Sequence, residues 1–329
     1  MNSSAHIDQL NRQGVSEHVA GDLQRAELVY RESLQLDPDN ATTHNNLGFL
    51  LAQQGDVDQA LSHLQTAVRL APTLADAQAN LGQVLAMQQQ THAALQHLLL
   101  ATDLQPANPN HWQALARLRM QTDDPQGALR ALRQAVALQP QSAALLKDLA
   151  QAHALCGQHE EAITLYRQLQ TGQAESVEIL SALGTSLFML EQYPEAIELL
   201  QQALNQAPDH WPALRHLGLA LAAHGHTEEA IATFEKLVAA HPHDDDSRLD
   251  LAVLLVSRGQ QQAALQQLDA LPQEMTVAGR ALFYRALALR PSDPEDARSL
   301  LQQLANSNDA FAARAAALLH SNGQRGLDT

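Results

Sequence analysis

A chain of 329 residues with a formal net charge of −16 lacks the clustered lysine and arginine that phosphate recognition needs, which argues against nucleic acid or an anionic membrane surface as a partner. Its single cysteine, Cys156, excludes an intramolecular disulfide framework. Apolar runs such as 251–256 fall far short of the roughly 20 residues that a membrane span requires. Residues 1–6 show no basic segment followed by an apolar one, so the cytoplasm is the expected compartment.

In chain order, residues 1–6 read as a short tail. The sequence then matches itself at a shift of 34 residues, without insertion or deletion, through eight repeats: 7–40, 41–74, 75–108, 109–142, 143–176, 177–210, 211–244 and 245–278. Each repeat predicts two helices joined by a tight turn. In the first, Gln13, Glu17 and His18 stand where later repeats are apolar, as expected where no earlier repeat packs. Residues 279–320 predict a degenerate ninth repeat, whose second helix is capped by Asp293 and opened by Pro294, and then a terminal capping helix over 310–320. That helix places Phe311, Ala315, Leu318 and Leu319 on one side. Residues 321–329 read as a disordered tail.

Four columns carry the periodicity. The twentieth position is alanine in every repeat, from Ala26 and Ala60 through Ala230 and Ala264. The eighth is always glycine or alanine, among them Gly14, Gly48, Gly82, Ala116 and Gly218. The seventh is leucine except at Gln13, and the twenty-fourth is large and apolar: Tyr30, Leu64, Leu98, Leu132, Tyr166, Leu200, Phe234 and Leu268. Two antiparallel helices crossing closely at the small columns explain this pattern, because a larger side chain would force them apart at about 1–3 kcal/mol per site. Glycine recurs at the fifteenth position, where a residue with positive φ can end the first helix. Proline recurs at the thirty-second and stops the second helix; Ala174 and Thr276 break that column, which predicts looser turns there.

Read from Asn45-Asn46-Leu47-Gly48 through Ala60 to Pro72, and again at Trp112, Leu115 and Ala116, the pattern resembles the tetratricopeptide repeat (TPR) family over about residues 7–278. The resemblance implies an all-α fold, a right-handed superhelical solenoid of helix-turn-helix repeats. It also implies that positions two, five, six, nine and twelve of each first helix face a concave groove that binds a peptide segment or helix of a protein partner. Those positions supply Asn45, Asn46, Phe49, Asn80, Gln83, Gln113, Arg117, Lys147, Gln151 and Arg215 as candidate peptide-binding residues. Asn46 and Asn80 each precede the Leu-Gly step, where the repeats of nucleocytoplasmic O-GlcNAc transferase carry an asparagine ladder that holds a peptide backbone. An amide suits that role because it can donate to a carbonyl and accept from an N–H at once. The ladder has two rungs here, since the sixth position becomes Ala114, Asp148, Ala182, His216 and Asp250. The carboxylate clamp of the family's co-chaperones is not matched: Lys147 fits its first position, but Gln151 and Ala182 stand where asparagines are needed. Arg117, Lys147 and Arg215 suggest a cationic middle flanked by Asp8, Asp76, Asp246 and Asp250.

No catalytic, cofactor or metal site is expected. His224, His226, His241 and His243 fall at turns, where polar residues are expected in any case, and no HExxH pair occurs. Cys156 follows His153 by three residues, but a buried packing cysteine is the commoner arrangement. Because the repeats take up nearly all of the 329 residues, no fused enzyme domain is expected within them. The leading expectation is a non-enzymatic interaction scaffold or adaptor. The alternatives are an assembly factor or chaperone for a secreted or enzyme partner, and a substrate-recruiting regulatory subunit of a modifying enzyme acting in trans.

Overall fold

The computed structural model describes residues 3–172 and 176–324, and every element among them is a helix. Contacts divide the chain into two compact halves, Met1–Leu169 and Gln170–Thr329. The N-terminal half comprises α1 (Ser3–Val19), α2 (Leu23–Leu36), α3 (Ala41–Gln53), α4 (Val57–Leu70), α5 (Ala75–Met87), α6 (Thr91–Leu104), α7 (Pro109–Gln121), α8 (Pro125–Leu138), α9 (Ala143–Leu155) and most of α10 (His159–Gly172). The C-terminal half continues with α11 (Val177–Met189), α12 (Tyr193–Gln206), α13 (Trp211–Ala223), α14 (Thr227–Ala240), α15 (Asp245–Ser257), α16 (Gln261–Asp269), α17 (Gln273–Thr276), α18 (Gly279–Leu289), α19 (Pro294–Ala305) and α20 (Ala312–Gln324).

Within each half, consecutive helices pair as antiparallel hairpins, and each hairpin packs on the next through both its first and second helices. The small columns sit at the crossing. All eight alanines of the twentieth position are fully buried. A Cβ added to Gly48 would lie 2.7 Å from Leu64 Cγ and 3.1 Å from the Ala60 carbonyl, and Gly82 repeats the geometry against Leu98 and Ala94. The eighth, twentieth and twenty-fourth positions are therefore one contact, made once per hairpin.

The fifteenth position adopts positive φ in all eight repeats. Gly21, Gly55, Gly157, Gly225 and Gly259 do so without strain, whereas Gln89 (φ 61°), Asp123 (φ 57°) and Glu191 (φ 60°) accept the left-handed region despite their side chains. The turn is thus imposed by hairpin packing, and glycine only makes it easier.

A second recurring device was not anticipated. At the fourth position, the side chain hydrogen-bonds back to the carbonyl of the proline that closes the preceding repeat. His44 Nε2 reaches Pro38 at 2.9 Å, Gln78 Nε2 reaches Pro72 at 2.7 Å, Trp112 Nε1 reaches Pro106 at 2.8 Å and an Arg248 nitrogen reaches Pro242 at 2.7 Å. Each bond ties the start of one hairpin to the end of the last and occupies a carbonyl of the turn, one residue past the helix C-cap.

The ends differ from expectation. Residues 3–6 extend α1 instead of forming a separate tail. The final helix runs on to Gln324, so 321–324 are helical, and the remainder of the expected disordered tail, 325–329, lies outside the described residues. The turn at Ala174 also lies outside them, whereas the one at Thr276 is visible. There α16 stops at Asp269 and the single-turn α17 fills the gap before α18. Asp293 caps α19 by accepting from the Asp296 N–H, with Pro294 in the first turn. The last helix starts at Ala312 rather than at residue 310; Phe311 just before it and Leu318 and Leu319 within it pack around buried Ala315 against Phe283 and Ala286 of α18 and Leu301 and Leu304 of α19.

Candidate functional site

Because the repeat length is 34 residues, the first helices of successive repeats lie side by side with equivalent positions aligned. Positions two, five or six, and nine form one stripe along such a helix, following its i, i+3, i+7 spacing. In the N-terminal half the stripes of α3, α5 and α7 enclose a groove of about 350 Å³. Its floor is made of amides: Asn45, Asn46, Asn80 and Gln113. One edge carries Phe49, Gln83 and Arg117, and the other Asp76, Asn108, Asn110 and His111.

The floor is wired together across repeats. Asn80 Nδ2 donates to Asn45 Oδ1 at 2.9 Å, and Asn45 Nδ2 donates to Asn46 Oδ1 at 3.2 Å. Asn45, expected to face the groove, is buried with only 6% of its surface exposed. It holds the two neighbouring amides in place, while Asn46 and Asn80 remain partly exposed. An amide has two donors and a two-lone-pair acceptor, so both keep hydrogen-bonding capacity directed at the groove.

Next along, Gln113 Nε2 donates to Asp148 Oδ2 at 2.7 Å, and the Arg117 guanidinium reaches the same oxygen at 3.2 and 3.3 Å. Asp148 is buried and compensates Arg117. On the opposite edge, buried His111 places Nε2 2.9 Å from Asp76 Oδ1 and 3.1 Å from Asn108 Nδ2, and its Nδ1 is buried without a hydrogen-bond partner. The Asn108 amide nitrogen is itself a donor and makes no bond to Nε2, because Nε2 carries the hydrogen and donates to the carboxylate, which only accepts. That bond, opposed by partial burial, holds the Asp76 carboxyl below the usual carboxylate range. Asp76 itself stays open to solvent, with 57% of its side chain exposed.

Seven of the ten residues expected from register, Asn45, Asn46, Phe49, Asn80, Gln83, Gln113 and Arg117, therefore surround one groove. Lys147 and Gln151 are exposed on α9 and do not line it. Arg215 belongs to the C-terminal half, in a cleft of about 450 Å³ beside Trp211 and the 241–244 turn, 3.7 Å from Asp246. The expected cationic middle is corrected on charge. Arg117 and Arg215 each face a carboxylate from the following repeat, whereas among the described residues no carboxylate is found paired with Lys147.

Sequence reasoning did not reach His111, Asn108 and Asn110, nor the anchoring role of Asp148. The signal lay in a spacing of 35. Asn45–Asn80, Asp76–His111, Gln113–Asp148 and His18–Gln53 all join one position to the next position of the following repeat.

Of the remaining polar groups, His153 and the His224–His226 pair make local contacts. His153 Nδ1 bonds Gln158 Oε1 at 2.7 Å, and burial pushes the Cys156 thiol up, away from the thiolate. His224 and His226 stack ring on ring, 5.2 Å apart. Among the described residues no three His, Cys, Asp or Glu side chains converge as metal ligands would, and no helix is long and apolar enough to cross a membrane.

Comparison with known families agrees with this architecture. The model described as "Cytochrome c-type biogenesis protein H TPR domain" matches residues 91–214, two tetratricopeptide repeat models match 39–107 and 221–288, and a TPR repeat model matches 17–55. The chain belongs to the tetratricopeptide repeat family. No curated protein sequence matches it. Among solved structures, PilF of Pseudomonas aeruginosa aligns with 65% of this TPR chain and 97% of its own at 18% identity and a TM-score of 0.58. A chain of the APC/C hetero-tetramer Cut9–Hcn1 aligns with 74% of this chain and 48% of its own at 18% identity and a TM-score of 0.59. YrrB, described as a TPR protein with an unusual peptide-binding site, aligns with 56% of this chain and 95% of its own at 20% identity and a TM-score of 0.50. At such identities the likeness is one of fold. TPR folds are in general non-catalytic modules for protein interaction.

Proposed function

We propose that this TPR protein is a non-enzymatic scaffold or adaptor that holds an extended peptide segment of a partner protein along the groove of α3, α5 and α7. The observation that carries this reading is the amide series Asn80–Asn45–Asn46, pre-positioned by its own hydrogen bonds and still able to donate and accept. A main chain laid across such a floor finds partners for its N–H and C=O groups without reorganisation of the protein, which lowers the ordering cost of binding. The experiment is partner capture by wild type and by Asn46→Ala plus Asn80→Ala, with Leu99→Glu on the outer face of α6 as the control. Capture lost only in the groove variant supports the reading; loss only in the Leu99→Glu variant transfers the binding surface to the second helices.

A second reading, an assembly factor for another protein, is favoured by the match of 91–214 to the cytochrome c-type biogenesis protein H TPR domain. The matched span overlaps the groove at α7, with Gln113 and Arg117, while α3 and α5 precede it.

A further inference from the structure

The chemistry of the groove edges selects among peptides, and this inference rests on the groove reading above. The amide floor can bond a main chain only if the chain turns its N–H and C=O edge downward. In an extended strand the side chains lie perpendicular to that edge and alternate in direction, so in the groove they project alternately to its two rims.

The rims are chemically unlike. Phe49 stands at position nine of α3, exposed over more than a third of its surface and tilted against the His18 ring at 5.6 Å. Asp76 stands at position two of α5, with Oδ1 occupied by His111 and the rest of the carboxylate open. Seven residues of helix separate positions two and nine, about 10 Å at 1.5 Å per residue, so the two groups face each other across the groove. They also lie one repeat apart along it, about 8–10 Å for packed helices. An extended chain covers that distance in roughly three residues at about 3.3 Å each. Three is odd, so side chains at i and i+3 project to opposite rims.

We propose that the partner segment carries an apolar residue and a lysine or arginine three positions apart in an extended stretch, the apolar side chain on Phe49 and the cation on Asp76. Charge supports the choice of a cation. The one arginine on the groove is already compensated by Asp148, whereas Asp76 at the opposite rim meets His111 through one oxygen and has no lysine or arginine beside it among the described residues. The Asp76–His111 bond keeps that carboxylate ionised and fixed in direction.

The probe is a set of dye-labelled Gly-Ser peptides of about twelve residues. Each contains one leucine and one lysine, glutamate or alanine at spacings of two, three or four, in both orders, and binding is read by fluorescence anisotropy. The lysine peptide at spacing three is expected to bind best, at least about threefold over its glutamate counterpart, in line with a partly exposed ion pair. Asp76→Asn, which keeps an acceptor facing His111, should abolish the lysine preference. Asp76→Lys should invert it toward glutamate, and Phe49→Ala should erase the advantage of leucine over alanine in that position. Peptide binding that disappears in Asn80→Ala but ignores charge and spacing overturns the inference and leaves the groove reading standing. Binding by none of the peptides, or binding indifferent to Asn80→Ala, overturns both.

Discussion

The two halves use one repeat frame to present different inward faces. In the N-terminal half, neighbouring first helices are joined mainly through amides and a histidine, Asn80 to Asn45, Gln113 to Asp148 and His111 to Asp76, beside one ion pair, Arg117 to Asp148. In the C-terminal half, the corresponding contacts are ion pairs, Arg215 with Asp246 at 3.7 Å and Arg280 with Asp250 at 2.6 Å. There His216 turns Nδ1 back to the carbonyl of Pro212 on its own helix at 2.8 Å. Paired charges saturate each other. An amide that has given one hydrogen still has another hydrogen and an oxygen to offer. The register therefore decides which positions meet, and the residue types at those positions decide whether a face stitches repeats together or retains capacity for a guest.

The strongest way to break the comparison is to spoil the frame beneath one face at a time. Gly82→Val places branched carbons where a single Cβ already meets Leu98 Cγ at 2.7 Å, and Gly218→Val does the same against the Phe234 ring at 2.7 Å. Each should cost about 1–3 kcal/mol in chemical denaturation. Only Gly82→Val should also lower groove affinity, and an equal loss of affinity in Gly218→Val would show that the halves do not act separately.

A smaller effect is expected from the proline-carbonyl bonds, which are commoner in the N-terminal half: His44, Gln78 and Trp112 there, against Arg248 among the fourth positions of the other half. Trp112→Phe keeps a ring and removes the 2.8 Å bond to Pro106. A loss of about 0.5–1.5 kcal/mol is expected, measured as a shift of the denaturation midpoint; no shift would reduce these bonds to geometry without energetic weight.

The mildest expected effect is on pH. His63 hydrogen-bonds His44, Nδ1 to Nδ1, at 2.9 Å. Burial, together with His44 and Arg31, holds His63 below the usual histidine value of 6.5. Burial likewise lowers His97 in the same half and His216 in the other. A histidine depressed in the folded state resists taking a proton that the unfolded chain accepts. Its contribution is therefore fully present above pH 6.5 and lost as the pH falls through the lower folded value. Melting followed through this range should show the N-terminal half losing more than the C-terminal half. His63→Gln should flatten the dependence, and an unchanged slope would remove His63 as its source.

Much of this was legible in the sequence because close packing leaves a periodic trace. The invariant alanine column, the small eighth position and the bulky twenty-fourth all report one steric contact, and a contact made in every repeat must recur every 34 residues. The helix starts at Ala41, Ala75, Pro109, Ala143, Val177, Trp211 and Asp245 follow from that register. The groove positions followed from register and family resemblance together, which is why Asn46, Phe49, Asn80 and Gln83 surround one groove.

Tertiary structure alone decided how those side chains are used. Asn45 and Asn46 are adjacent residues of the same type, yet one is buried as a bracket and the other left partly open; the 35-residue contact with Asn80 made the difference. Arg117 reads as a free cation until Asp148 of the next repeat is placed beside it, and Gln89, Asp123 and Glu191 show no glycine signal for the left-handed turn they adopt. Periodicity records what every repeat must share, whereas hydrogen bonds between neighbouring repeats depend on pairs of unlike positions, which a column-by-column reading does not compare.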